Sequence, residues 1–173
     1  MKIQTITLLR GMLVIGGVLF LAAGNPARAQ SSASANASVT IVPAIALTNN
    51  TALAFGLIVA GPGGTVTLTT SGSRTKTGTI ILPSSESYSE AAFVVLGPAE
   101  ETFSLSLPSS VTLGLAGGSA TMTITNFTSN PSTGGSLNSG GSATVTVGGT
   151  LNVGANQTLG SYVGSFTVTV SYP

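Results

Sequence analysis

The 173 residues contain no histidine, cysteine, tryptophan or aspartate, and only five basic and four acidic side chains. Each absence closes a class of chemistry. Without His and Asp there is no Ser-His-Asp triad, and without Cys there is no thiolate nucleophile, His/Cys zinc site or disulfide. Calcium draws on six to eight oxygens with several carboxylates. Glu86, Glu90, Glu100 and Glu101 are the only acids available. The expectation is a chain with no metal, no cofactor and no catalytic residues.

Two residual catalytic readings remain. Glu100 and Glu101 are adjacent, so on an extended strand they point to opposite faces and do not flank one glycosidic bond. Glu86 and Glu90 fall in a serine-rich loop, SSESYSE, where carboxylates are ordinarily solvated. Lys76 beside many serines lacks the sharp strand-to-helix turn that exposes a nucleophilic serine. The glycine clusters lead into no helix, so they read as turns rather than phosphate-binding loops.

The first 29 residues have the make-up of a secretory signal. Lys2 and Arg10 open it, Gly11 to Ala23 is an apolar run of 13 residues, and Ala27-Arg28-Ala29 is a small-x-small cleavage site. That run is short of the ~20 residues that span a bilayer. No lipid-bearing cysteine follows, and no twin-arginine pair is present. The expected localisation is therefore periplasm, cell surface or extracellular space. Gln30 to Pro173 would form one domain: 30–38 as a flexible arm and 39–173 as the folded part.

Export changes the charge balance, because the signal holds Lys2, Arg10 and Arg28. Arg74 and Lys76 then face four glutamates, a net charge of −2. Two cations cannot neutralise a run of phosphates, which argues against nucleic acid and against an anionic membrane surface as partner. Solubility has to come from Ser, Thr, Asn and Gly. The density of Val, Ile, Leu and Thr separates the chain from disordered segments.

Period-2 alternation recurs, and no window of twelve residues shows a helical period. Odd positions from Ala33 to Leu47 read as one strand: Ala33, Ala35, Ala37, Val39, Ile41, then Pro43, Ile45 and Leu47. Pro43 places that strand on an edge or bends it. Leu53 to Val59, Thr65 to Leu68, Thr79 to Leu82, Ala91 to Leu96 and Phe103 to Leu107 follow. Ser71 to Lys76 reads as a polar connection, and Ala91 to Leu96, apolar on both faces, as a central strand. Phe127 breaks the register of Met122 and Ile124, which predicts a bulge or strand end near Asn126. Thr128 to Ser142 reads as a flexible loop, and Val145 to Val153 as strand interrupted by Gly148-Gly149. The last segment, Gly160 to Pro173, sets Tyr162, Gly164, Phe166, Val168, Val170 and Tyr172 on one side of a single strand. Eight to ten short antiparallel strands with frequent turns make an all-β, immunoglobulin-like sandwich. Most segments are shorter than the 9 to 11 residues of membrane barrel strands, and their second face is Thr and Ser rather than lipid-facing aliphatics.

Several elements in order resemble an exported bacterial family, the domain of unknown function numbered 4402. These are Leu53-Ala54-Phe55-Gly56, Gly64-Thr65-Val66-Thr67, Ala91-Ala92-Phe93, Met122 to Phe127, Val147 to Val153 and the terminal segment. Leu53-x-Phe55-Gly56 and the closing Gly160-x-Tyr162 through Val168-x-Val170-x-Tyr172 are also similar to spore-coat-U-type and other chaperone-usher pilins. That resemblance implies an incomplete sandwich whose terminal strand pairs first with a periplasmic chaperone, at an outer-membrane usher, and then with a neighbour's donor arm. Gly160 and Tyr172 occupy the positions of the pilin glycine and penultimate tyrosine. Two departures stand out: the cysteine pair of many such pilins is missing, and the arm offers only Ala33, Ala35 and Ala37 before Val39 and Ile41.

The resulting expectation is an exported structural protein, a fimbrial or surface-fibre subunit forming a homo-oligomer by β-strand addition. The alternative is a monomeric secreted module that binds glycan or surface polymer. Exposed aromatics on one face would favour the module, and an unpaired groove beside the terminal strand would favour the subunit. Intact mass of the exported product checks the first step. It should begin at Gln30, and a product retaining residues 1–29 contradicts export.

Overall fold

The computed structural model describes residues 30–173, so the segment read as an export signal lies outside the described residues. Eleven strands follow one another: β1 Ala46–Thr51, β2 Gly64–Leu68, β3 Arg74–Lys76, β4 Ala91–Leu96, β5 Thr102–Ser106, β6 Ser110–Leu115, β7 Thr121–Asn130, β8 Gly134–Ser136, β9 Ser142–Val153, β10 Tyr162–Val163 and β11 Thr169–Ser171. All pairings are antiparallel. The larger sheet runs β1-β4-β9-β7-β6-β10, with β2 and β3 attached to β9, and the smaller runs β11-β5-β8. The fold is an all-β antiparallel sandwich. The larger sheet is open, because β1 and β10 do not pair.

β9 is the spine. Val145, Val147, Leu151 and Val153 are buried on one face, while Thr144, Thr146, Thr150 and Asn152 take the other, the period of a strand with one dry side. Along one flank it pairs with β4 from Ser142 to Val147 and then with β2 from Gly149 to Val153. Gly148 sits at that junction, where a Cβ would overlap the Leu68 carbonyl oxygen. The double glycine therefore does not interrupt the strand; it lets one strand serve two neighbours on the same side.

The sheets enclose two unlike halves of core. Around the Ser142 end of β9, Phe103, Leu137 and Val168 pack with Ala91, Phe93, Val95, Val145 and Val147, so the small sheet covers the large one. Around the Val153 end, Val66, Leu68, Ile124, Leu151 and Val153 are covered by Phe55 and Ile80, which belong to no strand. Phe127 and Leu53 touch both halves. The register of β7 shifts between Thr125 and Thr128, with Asn126 at φ 50°, so the expected bulge is present and turns Phe127 inward.

The outward face is an uncharged hydroxyl and amide surface. Thr67 and Thr150 hydroxyls lie 2.9 Å apart, those of Thr65 and Thr77 2.8 Å apart, and the Asn152 amide donates to the Thr123 carbonyl and the Thr125 hydroxyl, both at 3.0 Å.

Several elements differ from the sequence reading. No strand forms from Ala33 to Ile45, because Pro43 withholds a donor and no partner strand lies on its flank. Leu53 to Val59 makes only two bridges, Ala54 with Ser89 and Val59 with Ile81. Thr79 to Leu82 keeps the Ile81 bridge alone. Ser71 to Lys76 contains β3, and β6 was not anticipated. Thr128 to Ser142 holds the end of β7 and all of β8, pinned by the buried Leu137. The terminal segment splits into β10 on the large sheet and β11 on the small one. Its alternation survives the split: Tyr162, Phe166, Val168, Val170 and Tyr172 turn inward while Val163, Ser165, Thr167, Thr169 and Ser171 are exposed.

Gly148→Ala should destabilise the fold by about 1–3 kcal/mol through backbone overlap, read as a lower denaturant midpoint. Gly114→Ala, with no atom within 4 Å of the added carbon, should leave the midpoint unchanged or slightly raised.

Candidate functional site

The walls of the open half converge at one end and part at the other. The chain from Ala46 to Ala60 runs from the Ser142 end of β9 toward the Val153 end, as its pairings with Leu96 and Ile81 and the pairing of Gly64 with Val153 require. The terminal segment runs back the other way, from Tyr162 beside Leu115 to Ser171 beside Ser104. At the Ser142 end the Tyr172 hydroxyl donates to the Pro43 carbonyl at 3.1 Å and ties the two together. Toward the Val153 end no backbone hydrogen bond joins Ala52–Ala60 to Leu159–Phe166 among the described residues.

A groove of about 1020 Å³ lies between them. Its floor is core: Val111, Leu113, Met122, Ile124, Leu151 and Val153. Leu57, Leu159 and Val163 on its walls are 53%, 87% and 63% exposed, far more than aliphatics of this size in a closed sandwich. Glu86 is the one charged residue in the lining. This is an apolar trough between two strand-like segments whose facing edges share no backbone hydrogen bond among the described residues.

Each wall is held by identifiable contacts. Arg74 on β3 donates to the Phe55 carbonyl at 2.7 Å and to the Pro83 carbonyl at 3.0 Å, and its guanidinium lies 4.2 Å from the Tyr88 ring centre. Lys76 donates to the Ile80 carbonyl. The only two cations of the described chain thus fix the covering segments that cannot pair as strands. On the other wall Gln157 donates to the Tyr162 hydroxyl, which donates to the Thr158 carbonyl, each at 2.7 Å. Gly160 has φ +143°, and a Cβ there would press on Leu115, so a glycine is needed for the chain to enter β10.

The residues singled out in the sequence divide into three groups. Gly160, Tyr162 and Phe166 line the groove. Phe166 stacks on Phe127 at 5.1 Å and meets Phe93 edge-on at 6.2 Å, closing the deep end. Val168 is buried, Val170 packs on the same core, and Tyr172 holds the Pro43 tie. Ala33, Ala35, Ala37, Val39 and Ile41 form no strand, and Val39 and Ile41 are 85% and 90% exposed. The wall Ala52–Ala60 and the floor residues Val111 and Leu113 were missed as site residues. The alternation of Val111, Leu113 and Leu115 with Thr112 carried the signal for β6, whereas the groove itself depends on which strands fail to meet. Glu90, Glu100 and Glu101 do not line the groove. No helix among the described residues is long and apolar enough to cross a membrane.

Arg74→Ala should loosen the Phe55 wall at a cost of about 1–3 kcal/mol, since two carbonyls lose a charged donor. Denaturant unfolding measures it. Arg74→Lys should recover only part, because one ammonium does not reproduce the planar fork.

No curated protein and no solved structure matches the chain. The family model described as Domain of unknown function (DUF4402) matches residues 45–172, from just before β1 to the tyrosine that ties both chain ends, and the chain belongs to that family.

Proposed function

We propose that the protein is an exported structural subunit of a surface fibre, assembled when the groove receives an extended strand from another molecule. The observation that carries this reading is the open trough beside the terminal segment, with exposed aliphatics and unpaired edges on both walls. An inserted strand would supply backbone partners to both edges and lay alternate side chains on the floor. Each large aliphatic buried there contributes ~1.5 to 3 kcal/mol. A periplasmic chaperone that lends a strand during export, and an outer-membrane usher, are the partners this mode of assembly calls for.

The glycan-binding alternative lacks the matching support. Tyr88 is the one aromatic among the exposed large hydrophobic side chains of the described residues, and its ring is covered by Arg74. No flat row of aromatics for stacking on sugar rings is formed among the described residues.

Deleting Gln30–Ser38 should leave a folded subunit that no longer chains, seen as loss of the oligomer ladder on a denaturant-free gel and of fibres by electron microscopy. Val168→Asp should act differently and abolish folding, because it puts a charge at a site only 8% exposed. Native oligomers surviving the arm deletion, or a wild type that stays monomeric alone and with its export partners, would reject the proposal.

A further inference from the structure

The outward residues of the large sheet fall into rows. Thr67 on β2, Thr150 on β9 and Thr125 on β7 are successive cross-strand partners, and so are Thr65, Asn152 and Thr123, two residues along the same strands. Both rows extend to the next strands. Thr75 on β3 and Ser110 on β6 continue the first, and Thr77, just past β3, and Thr112 on β6 continue the second. Antiparallel partners share a face, so the rows stand on the side of the sheet away from Val66, Ile124 and Leu151 in the core. They form a lattice with ~4.8 Å between strands and roughly 6.8 Å between rows.

This lattice is stiff and keeps bonding capacity in hand. Threonine is β-branched and restricted at χ1. The Thr67 and Thr150 hydroxyls lie 2.9 Å apart, those of Thr65 and Thr77 lie 2.8 Å apart, and the Asn152 amide donates to the Thr125 hydroxyl at 3.0 Å, so neighbours hold one another in place. A hydroxyl has one donor and two lone pairs, and each mutual pair therefore retains one free O–H and free lone pairs for an outside molecule. Threonine methyls stand between the hydroxyls. Neither row contains a charged or aromatic side chain.

That make-up excludes the common partners of a sheet face. Nucleic acid and anionic lipid call for cations, and a protein interface is anchored by aromatics or arginine. The fitting partner is itself neutral, periodic and built of hydrogen-bond donors and acceptors. Solid water has all three properties, and its hexagonal lattice repeats at spacings close to both of those on the protein. We propose that this face binds ice, with the rows holding a layer of water in the register of the crystal. Twist of ~20–25° between adjacent strands restricts the match to β2, β9 and β7. Because the side chains are fixed beforehand, little further ordering is needed on contact. One subunit carries the whole lattice, so the inference does not rest on the fibre; a fibre would repeat the lattice and multiply a weak contact.

Ice grown slowly from a solution of the full exported protein tests this, by comparing protein in the ice with protein left in the liquid. Wild type should be enriched in the ice several-fold over Thr67→Lys and Thr123→Lys, because an ammonium holds its own water tightly and breaks the register. Thr169→Lys, on the exposed face of β11, should match wild type. Thr67→Ser combined with Thr123→Ser keeps both hydroxyls without their methyls and should fall between, which preserves the test if a lysine variant does not fold; denaturant midpoints establish which variants do. A wild type left in the liquid like an ordinary solute, folded row variants that enter the ice as wild type does, or a Thr169→Lys that loses as much as they do, each overturns the assignment. Strand addition is read separately, from oligomers, and stands or falls without it.

Discussion

The junction at Gly148 is the constraint on which the rest of the architecture depends. Because this position carries no Cβ, β9 can run twelve residues without a break while β4 and β2 approach the same flank in succession. That arrangement gives the molecule a long axis with a different partner set at each end. Near Ser142 the small sheet lies over the core, and near Val153 the strandless Phe55 and Ile80 do so, with Ile58, Ala60 and Leu82 packed beside them. The open groove follows from this asymmetry.

How the uncovered half stays folded is a question of hydrogen bonding more than of burial. Ala52–Ala60 makes two bridges where a strand of that length would make several more bonds. Arg74 offsets part of the deficit at the Phe55 carbonyl, and Arg74 and Lys76 likewise hold the adjoining segment through the Pro83 and Ile80 carbonyls. A chain with so few charges places its two folded-domain cations on backbone oxygens rather than in ion pairs. A charged donor to a carbonyl contributes more than a neutral one, which suits a segment that must be firm on one side and unpaired on the other.

Much of this was legible in the sequence, and what was not has definite physical causes. Period-2 alternation identified the inward residues of the terminal segment even where the strand is broken, because facing depends on local extension and not on pairing. The bulge at Asn126 showed itself through Phe127 falling out of register. Pairing partners were not readable. Ala33 to Ile41 alternates as well as any real strand, yet without a neighbour it has nothing to bond. Gly148-Gly149 looks like a turn because its role is fixed by the Leu68 carbonyl, 80 residues away in the chain. A groove beside the terminal segment was among the expectations, but its opposite wall and its floor were not readable for the same reason, since they come from sequence-distant segments.

The threonine and asparagine face of the large sheet bears on the conditions this protein can meet. Several of its side chains bond one another across strands, although the buried Thr146 hydroxyl has no partner, and none carries an ionisable group. Such a surface holds its hydration in brine or in acid alike, since there is no charge for salt to screen and no proton to gain or lose. Contact between copies through this face alone would set no ionised group against another, because the few charges of the described residues lie off it.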